Sequence, residues 1–413
     1  MWNEVQWIKI PDMELRDKQI LHGDLGGRFA YFRLEQELPA DARLTARITA
    51  VSRYRLWVND QAVLSGSCKG DLNRQYYETV SLTPYLHAGK NVFAVQVLYN
   101  DPDIARDQTD ERAAIYGVVG AGNCHALAID GDITDALGRV IGTISTGKAL
   151  WQVWLDHTFY LKSSEYTVYL GATEESVDAR RSPLEWKRLD FDASSWSLAC
   201  ASGPVMPSAL FQSVGLIPRV HLMPREIPLM EETECAFARV IRRKNDLVLD
   251  AGVEVNGYPR FSFNGNAGTE ITVTYLERFG NGADGARIDD MGGTVEGRAD
   301  HIILNGHLVN YEPFWVRTFR YIVVKSSDGK LPEMPAAQVY RKTGYPLSVE
   351  STVDSSTPWV GQLWGICLRT LQNCMLETYM DCPYYEQLQF IMDTRLQMLF
   401  TYAVSRDARL AKK

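Results

Sequence analysis

"RLTARITAVSRYRLWVNDQAVLSG", Arg43 to Gly66, decides how the chain is read. Apolar and polar residues alternate from Leu44, the run meets Asn59-Asp60, and a second short run starts at once with "QAVLSG". Alternation is the period of a strand with one buried face, and an Asn-Asp pair between two such runs marks a hairpin. The pattern extends outward. "YYETVSLTPYLHAGKNVFAVQVLYN" supplies a strand, a turn region at Pro84 and Gly89, and another strand over Val92–Tyr99. "FDASSWSLACASG" from Phe191 reads as the closing edge of this first unit. Short strands punctuated by Gly and Pro predict a sandwich or jelly roll.

"LIPRVHLMPREIPLM", 216–230, carries Pro218, Pro224 and Pro228 and predicts an extended linker, because Pro fixes φ and removes donors. A second β unit follows. "DLVLDAGVEVNGYPRFSFNGNAGTEITVTYLERF" is expected to run strand, turn, strand with Gly at the corners. "YEPFWVRTFRYIVVKS" from Tyr311 adds a further strand pair. The Gly- and Asp-rich "GNGADGARIDDMGGT" between them predicts a long surface loop. Asp289-Asp290 in that loop is a candidate cation pair, calcium being the candidate, against the plainer reading of a solvated loop. No cofactor is assigned. No internal repeat of fixed period is present.

Past residue 345 the period changes. "SSTPWVGQLWGICLRTLQNCMLETYM" offers Ser356 and Thr357 as caps and Pro358 in the first turn. Val360, Leu363, Trp364, Cys367, Leu368 and Leu371 then recur at helical steps. Pro383 breaks this helix. Ile391–Val404 reads as a second helix, with Ile391, Leu396, Leu399 and Phe400 apolar, and "SRDARLAKK" turns into a third. Two or three helices form no stable domain alone. They are expected to be the opening of a larger helical domain, the alternative being that they pack on the second sandwich.

Bulk properties exclude several classes. The 413 residues carry a net charge of −8, and no long Lys/Arg run provides the footprint of a nucleic-acid binder. No stretch of 18 apolar residues reads as a membrane span, and the N-terminus lacks a signal-peptide pattern. Seven cysteines stand apart without a CxxC pair, which argues against zinc ribbons and a disulfide framework and favours a reducing compartment such as the cytoplasm. Loss of a leader would leave export or the periplasm open. The 10 Trp and 20 Tyr fit either sugar stacking or large sandwich cores. His221, His301 and His307 are scattered and read as structural.

The chemistry-bearing stretch is "TYMDCPYYEQLQFIMDT", Thr378–Thr394. Asp381 precedes the Pro383 break, while Glu386 and Asp393 are spaced to share one face if the second helix starts early. Three converging acids raise at least one pKa by mutual repulsion, and Tyr384, Tyr385 and Phe390 add desolvation. A carboxyl group kept protonated near neutrality is what glycosidic bond cleavage requires of its general acid. The bland reading stands beside it: acids in a helix's first turn complement the macrodipole without chemistry. Cys382 lacks a cationic partner in sequence, which argues against a thiolate nucleophile.

"MDCPYYEQLQFIMDTR" resembles the signature of the bacterial α-L-rhamnosidases, glycoside hydrolase family 78: Asp-Cys-Pro, an acid five positions after the Asp, and a second Asp twelve after it. "YRLWVNDQAVL", "YYETVSLTPYLHAGKN", "LDAGVEVNGYPRFSF" and "YEPFWVRTFRYI" resemble the β-sandwich domains that precede this family's catalytic domain. The resemblance implies a mostly β chain: a jelly-roll, galactose-binding-like sandwich over 1–225, a second sandwich over 226–345, and the first helices of an (α/α)₆ barrel over 346–413. It implies an inverting hydrolase acting on rhamnose-containing glycosides, with Glu386 as general acid. Asp381 and Asp393 would bind rhamnose hydroxyls or assist the acid, and Tyr385 and Phe390 would flank the sugar. The general base lies further along such a barrel, so no residue here is assigned to it and the chain alone is expected to be inactive. Three positions depart from the signature: Tyr385 replaces a common Arg, and Gln389 and Met392 replace common Gly residues. The reading from another class is a non-catalytic carbohydrate-binding β-sandwich module.

Overall fold

The computed structural model describes residues 2–11, 24–70, 74–100, 126–163, 173–205, 221–280, 291–330, 334 and 338–413. Asp289-Asp290 and the first part of the Pro-rich linker lie outside them. Among the described residues, strands occur from Gln6 to Gly344 and α-helices from Val360 onward, so the chain is mostly β with α-helices at its C-terminal end. Contacts divide it into two compact units. One comprises 1–111, 115–161 and 182–225; the other comprises 112–114, 162–181 and 226–413.

The first unit is a two-sheet sandwich. One sheet orders Val140–Thr143, Asp132–Thr134, Arg43–Ala50, Leu127–Asp130, Gln6–Lys9 and Cys200–Pro204, with Arg74–Ser81 also on Arg43–Ala50. The other orders Gln152–Ser163, Asp24–Leu38, Gly89–Asn100, Tyr54–Val58 and Gln61–Gly66. Alternate side chains of both sheets meet in one core, among them Phe32, Leu34, Ile48, Leu56, Phe93, Val95 and Ile129. The hairpin turn is as the sequence predicts. Val58 pairs with Gln61, and Asn59 and Asp60 stand at φ 53° and 63°, the left-handed pair of a two-residue loop. The closing edge also holds, since Cys200–Pro204 pairs with Gln6–Lys9. The linker differs in part. His221–Pro224 is extended, as Pro dictates, but is bound in register beside Arg74–Tyr77 as a parallel strand. Trp2, Trp57, Trp151, Trp186 and Trp196 are all buried, and Tyr31 stacks on Trp186 at 4.6 Å. These rings build core.

The second unit orders strands Glu231–Ala236, Val339–Gly344, Asp246–Phe263, Arg317–Ser326, Glu270–Leu276, Arg298–Ile303 and Thr173–Asp178. The last pair is parallel. Asp246–Phe263 corrects the expectation of glycine corners, because it is one 18-residue strand. Its register shifts between Asp250 and Val255, where Gly252 takes φ +83°, so that glycine makes a bulge. At Gly257 a Cβ would come within 2.8 Å of the Arg341 carbonyl oxygen, so this glycine permits close strand approach.

A buried charge network stiffens the unit. The Arg317 guanidinium donates to Asp300 at 2.6 and 3.1 Å and lies 3.0 Å from Glu175. Glu175 accepts the backbone N–H groups of Phe314 and Trp315, and Tyr275 donates to Asp300 at 2.7 Å. Each buried charge thus has partners, the condition for burial being tolerable.

Among the described residues the α-helices are α1, Val360–Asn373, α2, Ile391–Val404, and α3, Arg409–Lys412. The second matches its predicted bounds. The first starts later than Ser356 and Thr357 imply: Trp359 is its N-cap, with no side-chain cap. Leu371 of its apolar stripe is buried, but Leu363 is exposed, as are Ile391, Leu396, Leu399 and Phe400 of α2.

Candidate active site

The loop between α1 and α2 is built by short-range bonds and anchored by the second unit's strands. At the end of α1, Asn256 donates to the Asn373 carbonyl at 2.7 Å, and Asn373 donates back to the Glu254 carbonyl at 3.0 Å. Tyr345 N–H donates to the Met375 carbonyl at 3.0 Å. The Asp381 N–H then donates to the Leu388 carbonyl at 2.8 Å, and the Asp381 carboxylate accepts the Leu388 N–H at 3.1 Å. This closes residues 381–388 into one ring of chain, with the Pro383–Glu386 turn inside it.

The strands grip that turn from below. Thr318 donates to the Pro383 carbonyl at 2.7 Å, and the Tyr384 hydroxyl donates to the Tyr275 carbonyl at 2.6 Å. Trp315 Nε1 donates to the Gln387 side-chain oxygen at 2.7 Å, whose amide donates to the Pro383 carbonyl at 2.8 Å. Gln387 stands at φ 53°, an uncommon state for a residue with a Cβ, and these two bonds hold it there. Arg298 donates to the Tyr385 carbonyl.

The sequence-predicted residues fall as follows. Asp381 is half-buried, with one carboxylate oxygen committed to the loop. Glu386 is half-buried, and Asp393 is exposed in the first turn of α2. Both aspartates act on Glu386: partial burial first, then the negative charges of Asp381 and Asp393, raise its carboxyl above the ordinary glutamate range. Phe390 is the N-cap of α2 and is exposed beside them. Tyr385 is half-buried. Its ring meets Tyr384 edge-on at 5.0 Å, and its hydroxyl hydrogen-bonds Glu277. Cys382 accepts the Glu386 N–H at 3.3 Å, and burial pushes its thiol pKa up, so it stays a protonated structural group.

Residues that sequence reasoning did not single out complete the surroundings. Glu254 is pushed up to about 7 by burial and by the neighbouring Glu277 carboxylate. Glu254, Glu277, Arg298 and Trp315 lie on or beside strands, where their alternation is ordinary, and no local signal marks them. Among the described residues no group of three or more His, Cys, Asp or Glu is arranged to hold a metal ion, and no helix is long and apolar enough to cross a membrane.

Residues 241–340 match the family described as "Bacterial alpha-L-rhamnosidase concanavalin-like domain". No curated protein matches the chain significantly. A rhamnosidase of family GH78 from Bacillus sp. GL1 superposes with a TM-score of 0.72 at 15% identity, covering 99% of this chain and 62% of its own. An α-L-rhamnosidase of Streptomyces avermitilis, solved with L-rhamnose, gives 0.67 at 18% identity over 94% of this chain and 35% of its own. One from Aspergillus terreus gives 0.62 at 20% identity over 94% and 41%. The chain therefore spans less than two thirds of each of these structures. Residues 241–340 are thus similar to the concanavalin-like domain of bacterial α-L-rhamnosidases, and over nearly its whole length the chain has the fold of the α-L-rhamnosidases of glycoside hydrolase family 78.

Proposed function

We propose that the chain is part of an α-L-rhamnosidase-like glycoside hydrolase that removes terminal rhamnose from glycosides with inversion, and that Glu386 is its general acid. The observation that carries this reading is the raised Glu386 carboxyl, half-exposed with Asp381 and Asp393 acting on it. A general acid must keep its proton at the working pH and give it to the leaving oxygen as that bond breaks. Asp381 and Asp393 accept hydrogen bonds from sugar hydroxyls. The exposed ring of Phe390 offers an apolar face to the sugar C–H groups. The Streptomyces enzyme of the same fold was solved with L-rhamnose, which supports rhamnose as the sugar. An inverting reaction also needs a base carboxylate on the opposite face, about 6.5–9.5 Å from the acid. No described residue is assigned to that base.

Calorimetric titration of the chain with L-rhamnose tests the reading. Binding is expected, and Asp381→Asn or Asp393→Asn should weaken it about tenfold, the loss of one charge-assisted hydrogen bond. Glu386→Gln should retain it. Binding insensitive to all three substitutions would favour the carbohydrate-binding module.

A further inference from the structure

We propose that Arg298 is the positioning residue for Glu386: from the second sandwich it fixes the Tyr385–Glu386 peptide and so sets where the carboxyl group points. The catalytic meaning of this role rests on the reading of Glu386 as the acid.

The peptide between Tyr385 and Glu386 has two polar ends, and both are held. Its carbonyl accepts from the Arg298 guanidinium, and its N–H donates to Cys382 Sγ at 3.3 Å. A peptide held at both ends cannot rotate about its flanking bonds, so the direction of the Glu386 Cα–Cβ bond is set. Arg298 itself is fixed by its place at the start of strand Arg298–Ile303. Its backbone N–H donates to the Tyr384 hydroxyl at 3.3 Å, and its guanidinium lies 5.3 Å from the centre of the Tyr384 ring. One arginine thus touches two consecutive loop residues, at both main chain and side chain.

The setting of this arginine is unusual. Arg298 is buried at 7% exposure, yet among the described residues no carboxylate lies within ion-pair distance of it. Among the described residues its Nε finds no hydrogen-bond partner. Arg317, two strands away across Glu270–Leu276, is also buried and has two carboxylates. Burial accordingly lowers the Arg298 pKa to about 10. A buried cation whose side-chain acceptor is a loop carbonyl contributes little as an ion pair. Its hydrogen bond is charge-assisted and directional, which suits it to orienting a peptide. Trp315 on Gln387 and Thr318 on Pro383 hold the flanks of the same turn, leaving the central peptide to Arg298.

The test uses Arg298→Met, which keeps the bulk and loses the donor, and Arg298→Lys, which keeps one donor. Arg260→Met, at an exposed ion pair, is the control. Amide hydrogen exchange reads the loop, and titration of the Glu386 carboxyl by NMR reads its surroundings. In Arg298→Met, exchange over residues 384–388 should accelerate about tenfold or more while strand Asp246–Phe263 keeps its protection. The Glu386 titration should move towards the ordinary value, and Arg298→Lys should fall between this variant and the parent. Unchanged loop exchange, or acceleration spread evenly over the strands, overturns the proposal. If Arg298→Met does not fold, Arg298→Lys decides alone by the same criterion. Both readouts are made without sugar. Failure of the parent chain to bind L-rhamnose would break the glycosidase reading and leave the positioning result standing.

Discussion

Residues 381–388 and helix α2 adjoin in sequence and differ in how they are held. The loop has strands beneath it, and both main-chain and side-chain groups of its turn find partners there: Thr318 for the Pro383 carbonyl, Tyr275 for the Tyr384 hydroxyl, Arg298 for the Tyr385 carbonyl, Trp315 for the Gln387 side chain. In α2, Ile391, Met392, Leu399 and Phe400 face outward and exposed. The difference teaches that the acid loop takes its shape from the β unit more than from the helices it connects. The loop's conformation is determined with the sandwich even where the helical surface is unpartnered among the described residues.

Four measurements would break or sharpen that contrast. The largest effect is expected beneath the loop. Arg317→Met leaves Asp300 and Glu175 buried without their cation and should cost about 3–5 kcal/mol in urea denaturation. A cost under about 1 kcal/mol would show that the network is not the platform described. Next, Tyr384→Phe removes the bond to the Tyr275 carbonyl and the acceptor for the Arg298 N–H, and should cost about 1–3 kcal/mol with loop exchange accelerating first.

The third is a pH profile. Folded Glu254 and Glu175 each hold a proton up to about pH 7, against an ordinary 4.5, because burial disfavours their charged forms. A carboxyl with a raised folded pKa contributes stability that is fully present below its unfolded pKa and is lost as pH climbs through the folded one. Stability should therefore fall between about pH 4.5 and 7, and Glu254→Gln should flatten part of that slope. His301, raised to about 9 by hydrogen bonds to Glu174 and Glu270 that outweigh its burial, acts with the same sign in a higher window, above its ordinary 6.5. A slope unaffected by Glu254→Gln would remove Glu254 from the account. The smallest effect is expected on α2. Leu399→Gln should change stability by no more than about 0.5 kcal/mol and raise solubility, since an exposed apolar face favours association. A loss of 2 kcal/mol or more would mean that this face is covered in solution.

Much of the fold was legible because it follows from local periods. The alternation around Leu44 with Asn59-Asp60, the breaker at Pro383 and the helical steps from Ile391 each encode a short-range preference. Misreadings fell where long-range packing overrides such cues. Gly252 and Gly257 look like corners but serve a bulge and a close strand approach within one strand, and Trp359 caps α1 although Ser356 and Thr357 are better caps by type. The aromatic residues were open between sugar stacking and core until the burial of Trp57, Trp151, Trp186 and Trp196 placed those rings in the interior.

For the site the division is sharper. Sequence by itself determined which acids could act together, since Asp381, Glu386 and Asp393 lie within one short stretch around a helix break. It also determined that the loop would be a loop, because Pro383 cannot continue a helix. Only the tertiary structure decided what orients the acid. Arg298 is 88 residues before Glu386 in the chain, and Trp315 is 72 before Gln387. Neither carries a mark in its own neighbourhood. Their roles exist only because the register of Arg298–Ile303 and the network of Arg317 set them under one turn, and strand register depends on packing across the whole sheet.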